Sequence, residues 1–188
     1  MVIKMIIKDK IQSVNKINEL GLNKFPEQIF KKNEDKKVLE FLKKYPAQYY
    51  AIRDKSKSGG VFKLKVEFDK VLSEIEYYDL FSINVSSANY VNNQLLVGEV
   101  EILSNNEVYA TLSIDPSASV RDALSKPDFN IKTDIFDSKL NSIPYFNIIY
   151  NYIIEHNLKD IIVEFAVFNK NVGIKKEKIV VYELRTHY

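Results

Sequence analysis

The stretch "IIVEFAVFNKNVGIKKEKIVVYELR", residues 161–185, holds two apolar alternating runs joined by a polar link. Successive side chains of a strand point to opposite faces, so residues two apart share a face. IIVEFAVF therefore sets Glu164 on a face with Ile162, Ala166 and Phe168, and KIVVYELR sets Glu183 with Ile179, Val181 and Arg185. The pattern predicts a hairpin, and with Glu164 opposite Glu183 its loop runs from Asn169 to Lys178. Two like charges directly across strands repel. In strands this apolar the arrangement is costly unless a cation sits between them. Mg²⁺ suits such a place, because it is hard, prefers oxygen, and is usually held by one or two carboxylates plus substrate phosphates. Arg185 beside the pair can reach a phosphate or carboxylate oxygen in a forked geometry. The same residues also fit a plain hairpin in which one glutamate faces solvent and the other pairs with Arg185 or a lysine.

Nearer the N-terminus, "YAIRDKSKSGGVFKLKV", residues 50–66, carries a second polar turn between alternating segments. The Gly59–Gly60 pair turns without Cβ clashes and bares N–H groups that a phosphate can use. Ser56 and Ser58 add hydroxyl donors, Arg53 ends the strand before the turn, and Lys63 and Lys65 follow it. Phe62, Leu64, Val66 and Phe68 fall on one face of the second strand, and Lys63, Lys65 and Glu67 on the other. A flap over phosphates and an ordinary exposed hairpin with a solvated lysine face both fit this stretch. Walker-type GxxxxGK[ST] and GxGxxG motifs are absent, which disfavours a P-loop ATPase and a Rossmann domain.

The 188 residues suit one domain or two small lobes. With no cysteine and two histidines, thiolate chemistry is excluded, and a histidine-built metal site or a Ser-His-Asp triad is disfavoured. No apolar run approaches the ~20 residues of a membrane span, and the opening MVIKMIIKDK does not read as a signal peptide; a cytoplasmic location is expected. The net charge of +2 conceals a strong asymmetry. Residues 1–70 hold 17 Lys and Arg against 9 Asp and Glu, whereas residues 71–134 hold 3 against 10. A basic region facing an acidic one can hold a polyanion and its metal ion; solvated faces of differing charge give the same counts.

Elsewhere, Ile7, Ile11, Val14, Ile17 and Leu20 lie at helical spacing before Gly21. Val38, Leu39, Phe41, Leu42 and Tyr45 form a helical stripe that Asn33 can cap and Pro46 ends. Strands are expected at AQYYAIR, VFKLKVEF, LFSINVSS, QLLVGEVEIL and EVYATLSI, and helices at DKVLSEIEYYDL, SVRDAL and IPYFNIIYNYIIEHN. PSASVRDALSKPDFN reads as a short helix followed by irregular chain. This order suits an α+β protein with antiparallel sheets, not a doubly wound parallel one.

With both ends in place, the chain resembles the ATP-grasp family. KINELGLNKFPE looks like that family's helix and Gly-x-x-x-x-Pro entry, VLEFLKKYPAQYYAIRDKSKSGGVFKLKV is similar to its helix, strand, glycine-rich phosphate loop and return strand, and the closing hairpin resembles its last two strands. The likeness runs over about residues 10–186, through short and permissive motifs. It implies a two-lobed α+β fold with antiparallel sheets and flanking helices: residues 1–81 as the lobe with the phosphate flap, and 82–188 as the lobe with the acidic hairpin. It further implies ATP and Mg²⁺ as cofactors. Arg53, Ser56, Ser58, Gly59, Gly60, Lys63 and Lys65 would meet the phosphates, Glu164 and Glu183 would hold the metal, and the strand at residues 82–87 would contact adenine. Arg185 stands where the family's Glu-x-Asn has asparagine, and Arg53 where it usually has lysine. An arginine is not a neutral oxygen ligand, which puts metal binding in doubt. The usual acidic residue near the end of the interlobe strand is missing, and Glu99 or Glu101 is the candidate substitute.

Three readings follow. The first is an ATP/Mg-dependent ligase joining a carboxylate and an amine through an acyl phosphate, with Arg185 and Arg121 as its catalytic candidates and a small molecule or peptide as acceptor. The second is a non-catalytic module of the same fold that binds a nucleotide or a protein, including a partner chain or a second copy. The third, set lowest because the acidic middle would repel a long polyanion, is a nucleic-acid-binding protein.

Overall fold

The computed structural model describes residues 6–7, 10–55 and 61–187, with the backbone alone at Ile11. They form two compact units, one of residues 25–91 and one of residues 92–188 together with the chain up to Lys24. The sequence reading set its division after residue 81. Both units are antiparallel sheets with helices, so the chain is α+β.

In the 25–91 unit, β1 (Glu27–Lys31), β2 (Tyr49–Asp54), β3 (Phe62–Glu67) and β4 (Leu80–Val85) pair in the order β1-β4-β2-β3. Helix α1 (Lys10–Glu19) belongs to the other unit, while α2 (Asp35–Lys44) buries Val38, Phe41 and Leu42 here. Phe30 of β1 packs edge-on to Phe41 and stacks on Phe81 of β4, each with ring centroids 5.8 Å apart. Tyr50 is fully buried, and its hydroxyl donates to the Tyr45 carbonyl at 2.8 Å where α2 ends before Pro46. Asn33 does not cap α2. It takes a left-handed φ of 67°, and Glu34 stands at the N-cap, its carboxylate accepting from the Lys31 N–H at 2.9 Å. The expected helix after β3 shrinks to a 3₁₀ turn and the short α3 (Val71–Ile75).

The other unit pairs β5 (Gln94–Ile102), β6 (Glu107–Ser113), β7 (Phe129–Asp134), β8 (Ile162–Val172) and β9 (Glu177–Arg185) in the order β7-β6-β5-β8-β9. The segment read as irregular chain is thus partly β7, an edge strand. Between strands lie α4 (Val120–Ser125) and α5 (Phe146–Glu155). Val100, Val108, Val163, Phe165 and Leu184 share a core with Phe146, Ile149 and Ile153 of α5 and Ile17 of α1. The Ser13 hydroxyl accepts from the Leu184 N–H at 2.8 Å, which ties α1 to β9. No helix among the described residues is long and apolar enough to cross a membrane.

Candidate functional site

The register of β8 and β9 pairs Glu164 with Glu183, Ala166 with Val180 and Phe165 with Val181. One extra residue, Tyr182, therefore stands between Val181 and Glu183 on β9, a β-bulge. It alters the expected faces: Val181 turns into the core opposite Phe165, and Glu183 turns to the opposite face, with Glu164. The strands are also longer than expected, running on to Val172 and from Glu177, with Gly173 at φ 75° in a short turn.

On the neighbouring strand Glu99 pairs with Glu164. Glu99, Glu164 and Glu183 consequently stand abreast on β5, β8 and β9. Neighbouring strands lie about 4.8 Å apart, so three like charges meet at short range. The adjacent row on the same face is Val97, Ala166 and Val180, all buried. That apolar row explains the electrostatics of Glu164. Burial pushes its carboxyl above the ordinary range and Glu183 adds to the rise, while Arg185 and Lys10 act in the opposite direction.

Two cations of the chain pair with the three carboxylates of the row. Arg185 stands opposite Ile162 on β9, and its Nη2 bonds to Glu99 Oε2 and lies 3.1 Å from Glu164 Oε1. Lys10, at the start of α1, places Nζ 3.1 Å from Glu183 Oε2. Glu101, 4% exposed, joins His187 Nε2 through Oε2 at 2.7 Å. Among the described residues, its Oε1 and the Nε of Arg185 are buried without hydrogen-bond partners.

These contacts decide how the donor set suits a magnesium ion. Among the described residues no group of three or more Asp, Glu or His is disposed to hold a metal. A guanidinium and an ammonium already lie against the carboxylates a metal would use. As they stand, the residues do not fit the ion. Glu99 and Lys10 complete the arrangement, and neither was assigned to it from sequence. The available signal for Glu99 was a charge in the middle of a long apolar strand.

The residues around the glycine turn are placed differently. Ser56, Ser58, Gly59 and Gly60 lie outside the described residues. Arg53 pairs with Phe62, and its guanidinium lies 4.7 Å from the Phe62 ring centroid, a cation–π contact. Lys63 pairs with Ile52, on the opposite face from Arg53, and forms an ion pair with Glu74 of α3. The register shifts between Tyr50 and Ile52, so two intervals on β2 face three on β3. Strict alternation along β3 fails there: Val66 is buried, whereas Phe62 and Phe68 are half exposed. Lys65 is exposed. Arg121 is exposed on α4, whose start is closed by a capping box between Ser119 and Asp122, and among the described residues no ion pair joins it to the glutamate row.

The chain is similar to solved ATP-grasp enzymes. It matches D-alanine–D-alanine ligase from Bacillus anthracis, complexed with ATP, over 95% of its own length and 54% of that chain, at 15% identity and a TM-score of 0.49. The macrocyclase MdnC bound with precursor peptide MdnA, from Microcystis aeruginosa, matches over 93% of this chain and 49% of that one, at 11% identity and a TM-score of 0.48. The ADP complex of N5-carboxyaminoimidazole ribonucleotide synthetase matches over 95% and 45%, at 10% identity and 0.48. The chain thus spans about half the length of the solved structures it matches. No protein-family model and no curated protein sequence matches it. At TM-scores of 0.48–0.49 the likeness transfers no residue roles, and the functional reading rests on this chain's own side chains.

Proposed function

We propose that this chain is a nucleotide-binding module of ATP-grasp type that holds ATP without running metal-dependent ligation, in the cytoplasm. The order of sequence motifs supports the nucleotide. A single observation carries the rest: Arg185 and Lys10 pair with Glu99, Glu164 and Glu183 from within the chain. The test is thermal unfolding with ATP, in excess Mg²⁺ and in chelator, followed by an ADP-release assay over a panel of amino acids and peptides. A ligand at 100 times its Kd stabilises the native state by about 2.7 kcal/mol, several degrees for a chain of this size. The same rise in Tm with and without Mg²⁺, and no ADP release, is the expected result. No rise under either condition removes the nucleotide from the reading.

One observation favours a second reading, an ATP/Mg-dependent ligase that activates a carboxylate as an acyl phosphate for attack by an amine. Glu164 and Glu183 lie directly opposite on one face with side chains 17% and 15% exposed, a setting that raises their demand for a cation. Arg121 would then contact the acceptor. This reading expects a rise in Tm that requires Mg²⁺ and disappears in Glu183→Gln, with ADP released in the presence of one class of acceptor.

A further inference from the structure

Three carboxylates abreast on adjacent strands, beside an apolar row, are tolerable only with compensating positive charge or a retained proton. The source of that charge distinguishes two kinds of site. A site built for a metal leaves the oxygens aimed at a common gap; here a side chain of the chain itself lies among them.

We infer that the Arg185 guanidinium takes the place of a divalent cation on the Glu99–Glu164–Glu183 row, so that the row is closed to metal in this chain and opens when Arg185 is replaced. Three features support this. The first is reach: Nη2 of Arg185 bonds to Glu99 and lies 3.1 Å from Glu164, while Lys10 lies 3.1 Å from Glu183, so every carboxylate of the row has a cation from the chain. The second is permanence. Its attachment to β9 keeps the guanidinium present whatever the ion concentration in solution. The third is placement. The bulge at Tyr182 brings Glu183 to the face of Glu164, and two residues on along β9 Arg185 reaches both Glu99 and Glu164.

A divalent ion entering here would have to displace the guanidinium or lie beside it, where two cations repel. Asparagine at position 185 ends the conflict at Glu99 and Glu164, while Lys10, half exposed, stays against Glu183 and can turn to solvent. The asparagine removes the charge, supplies a neutral oxygen, and leaves carboxylates of the kind that Mg²⁺ and Mn²⁺ accept. The inference requires no nucleotide, and its test contains none, so its outcome is separate from that of the proposed function.

The experiment titrates Mn²⁺ into the full chain, with the bound fraction read by electron paramagnetic resonance, and follows Tm against Mg²⁺. Wild type is compared with Glu164→Gln, Arg185→Asn and the double variant Arg185→Asn/Glu164→Gln. Wild type and Glu164→Gln should bind Mn²⁺ equally weakly. Arg185→Asn should bind about tenfold more tightly or better, equivalent to one step of ~1.4 kcal/mol, gain Tm with Mg²⁺, and lose both in the double variant. Mn²⁺ binding by wild type that Glu164→Gln abolishes overturns the inference, as does a folded Arg185→Asn with no gain. If Arg185→Asn does not fold with or without Mn²⁺, the wild-type and Glu164→Gln pair decides in the same two directions.

Discussion

The two sheets treat their charges in opposite ways. In the five-stranded sheet, Glu99, Glu164 and Glu183 sit on two inner strands and one edge strand, beside a buried apolar row, and are closed by Arg185 and Lys10. In the four-stranded sheet, Lys63 and Lys65 sit on the edge strand β3, where water solvates them, and Lys63 makes one ion pair with Glu74. Charged residues that look alike in sequence therefore differ in coupling in the structure. A charge on a strand between two others cannot turn away from its neighbours, whereas one on an edge can. The first region is a network in which each member sets the state of the next; the second is a set of nearly independent cations.

The sharpest test of this contrast lies next to Glu99. Gly98 has φ +152°, and a Cβ there would meet the Thr111 carbonyl oxygen at 2.1 Å and Leu112 Cα at 2.9 Å. Gly98→Ala should destabilise by about 3 kcal/mol or more, because backbone strain and overpacking each cost ~1–3 kcal/mol. Urea denaturation would measure it, and a near-neutral result would show that β5 and β6 yield easily and that the row is not rigidly held.

Removing the guanidinium comes next. Arg185→Ala leaves Glu99 and Glu164 without their shared partner and should cost about 1–3 kcal/mol, less than the ~3–5 kcal/mol of a fully buried pair, since the Arg185 side chain is 40% exposed. A loss that high salt fails to moderate would mean that packing, not charge, holds Arg185.

A smaller effect concerns pH. The Glu164 carboxyl is raised chiefly by burial, so in the folded state it keeps its proton at pH values where the unfolded chain has lost it. Its contribution to stability is level below the unfolded value and falls as pH rises through the window up to the folded value. Glutamine mimics the protonated acid and does not titrate. The stability of Glu164→Gln relative to wild type should therefore improve as pH climbs through that window and then level off. Denaturation curves at several pH values read the difference directly; a flat or falling difference would mean that Arg185 and Lys10 outweigh burial.

The smallest effect is expected in the other unit. Lys63→Ala removes one partner of an ion pair in which both side chains are partly exposed and should leave Tm unchanged within error, because such pairs contribute little. A loss matching that of Arg185→Ala would erase the contrast between the two sheets.

Part of this was legible in the chain. Alternation in QLLVGEVEIL, EVYATLSI and IIVEFAVF is strong enough to mark β5, β6 and β8, and the stripe of Phe146, Ile149 and Ile153 marks α5. Polar edges were harder. In β7, Phe129, Ile131 and Thr133 alternate with Asn130, Lys132 and Asp134, too polar and too short to stand out from a loop. Bulges were invisible, since one extra residue on β3 or at Tyr182 leaves the local pattern intact and changes only which face follows. Asn23 lies in a segment read as the extended entry between helix and strand. It is fully buried, its side-chain amide donating to the Val172 and Ile179 carbonyls at 2.9 and 2.7 Å and its Oδ1 accepting from the Lys175 N–H at 2.8 Å.

The amino-acid sequence by itself determined the periods, and with them the kind and order of most elements, because side-chain alternation and helical spacing are properties of neighbouring residues. Tertiary structure alone decided the partners: Glu99 beside Glu164, 65 positions on, and α1 packed on β9 through Ser13. Those choices depend on how distant segments exclude water together, and no short window of the chain contains that information.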